Sequence, residues 1–291
     1  MTVSVDTTSK PFTIAVVGGG IGGIALAIGL LHRGVAVQVY EASPAFAEIG
    51  AGIGFGPNSV RSMHLINPAI KAAFDGLVTK NEGENEEETW INFRCGIGEP
   101  ELIAKVRTTD SNKTGISSVH RAHFLHELVK LLPAGVANFG KRLSNLHPGP
   151  RGTVRLEFED GTMAEAAAVV GCDGVRSRVR RILRSQENDV EDMQFSGKFA
   201  YRGLIPMDKA KAALGDDLAG NTQMYLGPGG HILTYPIDHG KILNVAAFRT
   251  KEDGKWEHNR WILQKTREDM KKSYGGWGEP VQKITEVRNY S

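Results

Sequence analysis

The chain has 291 residues, 41% hydrophobic and 23% charged, enough to bury a sizeable core and to divide into two domains. A formal net charge of +2, with no basic cluster beside an aromatic platform, argues against a nucleic-acid partner. Two cysteines, Cys95 and Cys172, argue against a disulfide framework and fit a reducing, cytoplasmic setting, and no apolar run reaches the roughly 18 residues of a membrane span.

Met1 to Pro11 is polar, lacks an apolar h-region and reads as a disordered leader. Ile14 to Val17 is the apolar run of a strand buried on both faces, and Gly18-Gly19-Gly20-Ile21-Gly22-Gly23 follows at once. The apolar stretch from Ile24 to His32 predicts a helix, Gly34 a left-handed stop, and Val35 to Tyr40 a second strand. In this order Gly18 permits a tight turn, Gly20 lets backbone approach a pyrophosphate, and Gly23 lets the helix sit close to the strand. Glu41 ends the second strand, where a carboxylate can accept both ribose hydroxyls; an acid there rather than an arginine leaves FAD or NAD. A glycine turn with a purely structural purpose is the plainer alternative.

The glycine-rich segment from Ala42 to Asn58, which includes Gly52 and Gly54, suggests backbone passing close to something flat, or an ordinary long loop; a helix should follow from about Pro57 to Leu65. Asn81 to Glu88 reads as a solvated charge run. Trp90 to Arg94 and Leu102 to Val106 read as two strands of an inserted layer. Ser117 to Leu132 reads as a helix with Phe124, Leu125, Leu128 and Leu132 on one side. Arg121 in its first turn is disfavoured by the helix dipole and asks for an anion, which a surface ion pair would also supply. His120, His123 and His126 lack the accompanying ligands of a metal site, so no metal is expected.

Lys141 to His147, Val154 to Phe158 and Met163 to Ala166 read as an antiparallel meander turning at Asp160-Gly161. Ala166 to Cys172 predicts another buried strand that runs into Asp173-Gly174-Val175-Arg176-Ser177-Arg178-Val179-Arg180, a strand-to-helix junction of the kind where open α/β folds bind ligands. Its arginines, with Arg181, could equally form a solvated helix face. Beyond Gln194 the strand-like runs Phe195 to Ile205, Gln223 to Leu226, His231 to Ile237 and Ile242 to Phe248 predict an antiparallel sheet able to wall a pocket. Arg202 and Tyr235 fall within it, as site residues or as structural ones. Asn259 to Tyr274 reads as a polar-faced helix, and another short helical start follows.

These residues resemble the FAD-dependent aromatic hydroxylases, the single-component flavoprotein monooxygenases, and most closely their fungal salicylate hydroxylase-like members. The resemblance covers nearly the whole chain. It rests on GGGIGG with Glu41, on GAGIGFGPNSVR from Gly50 to Arg61, on VHRAHFLHEL around Arg121, on GCDGVRSRVR from Gly171 to Arg180, and on YRGLIP and TYPI around Arg202 and Tyr235. The fold it implies is α/β: a Rossmann-like FAD-binding domain with a parallel sheet and β-meander (residues 10–80 and 115–185), plus an inserted, mainly antiparallel substrate domain (81–114 and 186–291). By family likeness Glu41 holds the FAD ribose, the Gly52 to Gly54 backbone lies along the flavin, Arg121 contacts the cofactor, and the Asp173 segment serves FAD and NAD(P)H. In a related dearomatising subgroup, an arginine and a tyrosine matching Arg202 and Tyr235 bind and ionise a phenol. The implied reaction reduces FAD with NAD(P)H, adds O₂ to give a C4a-hydroperoxide, and hydroxylates a salicylate-like or polyketide phenol. The family's later GDAAH segment has no counterpart here, which suggests a chain cut short before it. That departure keeps open a non-catalytic fragment or pseudoenzyme, and an NAD-linked dehydrogenase; assembly as a homodimer is also open.

Overall fold

The computed structural model describes residues 12–46, 51–83, 86–108, 115–184, 194–258 and 260–287; the expected leader and residues 47–50, 84 and 85 of two expected loops lie outside them. The elements run β1 (Thr13–Val17), α1 (Ile21–His32), β2 (Ala36–Tyr40), β3 (Gly52–Phe55), α2 (Pro57–Ile66), α3 (Pro68–Asp75), β4 (Thr89–Cys95), β5 (Leu102–Arg107), β6 (Ser117–His120), α4 (Arg121–Val129) and β7 (Ala137–Asn138). They continue with β8 (Leu143–Pro148), β9 (Val154–Phe158), β10 (Met163–Ala166), β11 (Ala168–Gly171), α5 (Arg178–Arg184), β12 (Lys198–Pro206), α6 (Met207–Leu214), α7 (Asp216–Gly220), β13 (Gln223–Gly227), β14 (Gly230–Ile237), β15 (Ile242–Thr250), α8 (Arg267–Ser273) and α9 (Glu279–Val287). No helix among the described residues is long and apolar enough to cross a membrane.

Two compact units emerge, the first within Met1–Glu48, Arg61–Ala73 and Ala122–Gln194, the second within Ile49–Val60, Phe74–Arg121 and Phe195–Ser291, as far as those stretches are described. Residues 51–60, 74–80 and 115–121, read from sequence with the nucleotide-binding domain, therefore pack with the second unit. The reason is pairing: β3 and β6 form a two-stranded ribbon, and β6 hydrogen-bonds to β14 through Ser118 Oγ, which donates to the Pro236 carbonyl at 2.5 Å.

In the first unit a parallel sheet runs β11-β1-β2-β7, with Val17 opposite both Tyr40 and Gly171. Ala15 and Val17 on one face of β1 join Leu143, Leu156 and Phe158 of the expected meander, with Ala166 and Val179, in one core. The turn at Asp160-Gly161 forms as expected, with Gly161 at φ +79°. β11 departs from expectation. It is not buried: Val170 is 36% exposed, because among the described residues β11 is the outermost strand and pairs only with β1.

The second unit is built on a six-stranded sheet, β12-β15-β14-β13-β4-β5, antiparallel throughout except where β13 and β4 run parallel. One face carries Ile205, Ile232, Leu243, Val245 and Ala247 into a core closed by Met270, Tyr274, Trp277, Val281 and Ile284 from the α8 to α9 segment. Burial of each large side chain there contributes about 1.5–3 kcal/mol. Three expectations are corrected in this unit. Ser117 to His120 is a strand because its cross-strand bonds to β3 and to Thr79 override the helical pattern of the following residues. The charge run is not simply solvated: Asn81 is buried, its Oδ1 accepting from the Thr222 amide and hydroxyl at 2.9 Å each, and Lys211 Nζ donates to Glu82 at 2.7 Å. The C-terminal helix begins only at Arg267, where a reciprocal Thr266–Asp269 capping box starts it.

Candidate functional site

Two glycines of the turn in the first unit, Gly18 and Gly23, are required by the packing of the fold itself. Gly18 has φ +107°, and a Cβ there would lie 2.4 Å from the Cys172 carbonyl oxygen. A Cβ on Gly23 would lie 2.0 Å from the Gly18 carbonyl oxygen, so α1 can approach β1 only because this residue has none. Gly20 is the opposite case. Nothing lies within 4 Å of its would-be Cβ or that of Gly22, and α1 starts with no side-chain cap and no acid in its first turn. The start of α1 is thus uncapped and carries the positive end of the helix dipole, which suits a phosphate group.

Glu41 stands beside that turn. Its Oε2 accepts from the Gly19 amide at 2.6 Å and its Oε1 from the Ser43 amide at 2.7 Å. Each oxygen keeps a further lone pair for a hydroxyl. Phe46 closes over Gly19 and meets Phe139 edge-on with centroids 4.6 Å apart.

The Asp173 junction lies against the same turn, because Gly18 abuts the Cys172 carbonyl and the Asp173 amide. Its carboxylate, however, is committed to α5. Oδ1 accepts from Ser177 Oγ at 2.6 Å, and Oδ2 from the Arg178 and Val179 amides at 2.6 and 3.2 Å. Ser177 Oγ in turn accepts from the Arg180 amide at 2.9 Å, and the Arg180 guanidinium donates back to the Val175 carbonyl at 2.6 Å. The Asp-Gly-x-x-Ser-x-x-Arg spacing thus builds a self-capped turn whose backbone, rather than its acid, is presented.

In the second unit the pleat sorts residues cleanly. Arg202 lies opposite Ala246, Leu204 and Tyr235 both lie opposite Asn244, and Ala246 lies opposite Leu233, so these six share the sheet face turned away from the core. Tyr235 is buried, with burial pushing its phenol up to about 12 while the nearby Arg202 charge pulls the other way. At pH 7 it is a neutral hydroxyl donor. His231, four residues before Tyr235 on the same face, stacks on Phe248 at 4.6 Å, and burial followed by the Lys198 charge lowers its pKa.

The expected flavin strip meets this face. Gly52 donates its amide to Asn244 Oδ1 at 2.7 Å, and a Cβ on Gly52 would lie 2.7 Å from Tyr235 Cε2 and 2.8 Å from Asn244 Cγ. The absent side chain is therefore required by the protein itself. A Cβ on Gly54 would touch the Ile116 side chain at 3.0 Å. Arg121 opens α4, its amide donating to the Ala51 carbonyl at 2.9 Å, which ties it to the residue before Gly52.

The structure thus gathers Gly18, Gly20, Gly23, Glu41 and Asp173 in the first unit, and Gly52, Gly54, Arg121, Arg202 and Tyr235 in the second. Sequence reasoning missed Asn244 and His231. The two-residue spacing of His231, Leu233 and Tyr235 could have drawn attention to the histidine, whereas Asn244 carries no local signal. No metal-binding group of three His, Cys, Asp or Glu occurs among the described residues.

Tyr235 sets an alkaline limit. Its folded pKa lies above the unfolded value of about 10, so its contribution is full below pH 10 and is lost as pH rises toward 12, by up to about 3 kcal/mol. Tyr225 and Tyr40 shift in the same direction. Denaturant unfolding between pH 9 and 12 should therefore show falling stability, with a shallower fall in Tyr235→Phe.

A sequence model described as an FAD binding domain matches residues 12–198. A 6-methylsalicylate 1-monooxygenase from Aspergillus terreus is 42% identical over 288 residues, covering 97% of this chain and 63% of the relative. A salicylate hydroxylase from Pseudomonas putida is 37% identical over 284 residues, covering 94% and 64%. A solved structure of a salicylate hydroxylase substrate complex is similar at a TM-score of 0.80 and 30% identity, over 96% of this chain and 66% of that one. The chain spans a little under two thirds of the length of these relatives.

Proposed function

Because this chain belongs to the FAD binding domain family, we propose that it is a flavin-dependent monooxygenase that uses NAD(P)H and O₂ to hydroxylate a phenolic aromatic acid, of salicylate-like or polyketide-phenol type. What carries the reading is the presence in one chain of an open, uncapped glycine turn and a sheet face bearing Arg202 and a neutral Tyr235. The names of the relatives supply the substrate class.

In this reading the Gly18 to Gly23 turn and the first amides of α1 hold the FAD pyrophosphate, and Glu41 receives the ribose hydroxyls on its remaining lone pairs. The Asp173 turn would support the nucleotide through its backbone, and the Gly52 to Gly54 strip and Arg121 would contact the flavin part of the cofactor. Bound FAD supplies two-electron reduction by NAD(P)H and activation of O₂. Overall, the aromatic gains one oxygen atom of O₂, the other leaves as water, and NAD(P)H with a proton provides the electrons. Arg202 pairs with the phenolate and so favours the more nucleophilic form of the ring. Tyr235, which keeps its proton, donates a hydrogen bond that orients the same oxygen.

The test is the visible spectrum of the purified chain before and after added FAD, followed by NAD(P)H consumption with a phenolic acid present. A yellow protein whose NAD(P)H oxidation is stimulated by the aromatic supports the reading. A chain that takes up no flavin is a cofactor-free fragment, and flavin-free reversible hydride exchange marks an NAD-linked dehydrogenase; either result rejects it.

A further inference from the structure

Asn244 sits on β15 between the strands that carry Arg202 and Tyr235, directly opposite Tyr235, and is 3% exposed. Its Oδ1 accepts the Gly52 amide proton at 2.7 Å. Because only the carbonyl end of the side-chain amide can accept, that bond fixes which end faces Gly52 and leaves the two N–H donors of its NH₂ unused. Among the described residues that NH₂ has no partner, yet it is not one of the sealed polar atoms, as Thr234 Oγ1 and Tyr225 Oη are. It is therefore deeply placed but not fully sealed. An amide so deeply placed with two unspent donors calls for an acceptor.

The rest of the face says what kind. Arg202 is a cation and Tyr235 a neutral hydroxyl, while Leu204, Leu233 and Ala246 on the same face are apolar and none of these positions is acidic. Three donor groups around small and aliphatic side chains are complementary to an oxygen anion on a flat apolar body.

We propose that the Asn244 side-chain NH₂ is a substrate-recognition donor that, with Arg202 and Tyr235, binds the anionic oxygen of the aromatic acid; this rests on the functional reading given above. Asn244 then has two duties that one substitution separates. Asn244→Asp keeps an oxygen for the Gly52 amide but replaces the donors with a negatively charged acceptor. A residue that only anchored Gly52 would tolerate that exchange, whereas a donor to an anion would not.

The probe is salicylate. In wild-type protein loaded with FAD, the Asn244 side-chain NH₂ signals in a nitrogen-labelled sample should shift on titration. In Asn244→Asp, FAD affinity should stay within about threefold while the salicylate dissociation constant at pH 8 rises at least about tenfold. That loss should shrink as pH falls and the new carboxyl takes up a proton, and uncharged benzyl alcohol should lose far less affinity than salicylate. Unshifted NH₂ signals, or unchanged salicylate binding by Asn244→Asp, overturn the proposal while a bound-flavin spectrum leaves the functional reading standing. A wild-type chain that binds neither FAD nor salicylate overturns both.

Discussion

Gly23→Ala is expected to destabilise the chain by about 1–3 kcal/mol and to weaken FAD binding by about 100-fold. The added methyl would lie 2.0 Å from the Gly18 carbonyl oxygen and 3.2 Å from Cys172 Cβ. Neither the strand end nor the glycine turn can yield without moving the other, so the start of α1 must tilt away from β1. That tilt displaces the first amides of α1, those proposed to hold the phosphate. Gly22→Ala is the internal comparison, since its methyl meets nothing within 4 Å and should leave stability unchanged or raise it by about 0.5–1 kcal/mol. Thermal unfolding and quenching of flavin fluorescence on titration read both effects. Equal behaviour of the two variants would contradict the close packing of α1 on β1.

Arg202→Ala should act on the other ligand. Its side chain is exposed and makes no hydrogen bond among the described residues, so the fold and FAD affinity should hold. Loss of a charge-assisted contact to a phenolate or carboxylate removes about 2–3 kcal/mol, roughly 30- to 150-fold in kcat/KM for the aromatic acid. A second readout is independent of turnover. Arg202 holds the Tyr235 pKa down against burial, so the variant should titrate this tyrosine at still higher pH by ultraviolet absorbance. Full retention of coupled hydroxylation in the variant would remove Arg202 from the substrate site.

The sequence was most readable where local and distant demands coincide. From Thr13 to Tyr40, an apolar run, three position-specific glycines and a left-handed Gly34 each dictate the same strand–helix–strand, and the structure adds only boundaries. Readability fails where the partner is remote. Ser118 looks like part of a helix start until its bonds to Thr79 and Pro236 are seen, and Val170 looks like core until β11 proves to be a sheet edge. Asn244 is the extreme case, with a partner 192 residues away and nothing in its neighbours to mark it. The Asp173 motif was recognised for its spacing, yet the spacing owes its form to capping of α5 by Asp173 and Ser177. Residues 207–220 fold as two short helices whose local signals are Pro206, Asp208 and an alanine-rich run.

The alternation of side chains across β12, β15 and β14 has a practical use for anyone wishing to redirect this protein. Leu204, Leu233 and Ala246 can be randomised as a small library of wall shapes without altering Ile205, Ile232, Leu243, Val245 or Ala247, which hold the opposite side together. Selectivity and thermal robustness are in this sense written on alternate letters of the same three strands. Deleting a single residue within one of them would exchange the two scripts, so diversification should proceed by replacement and never by changes in length.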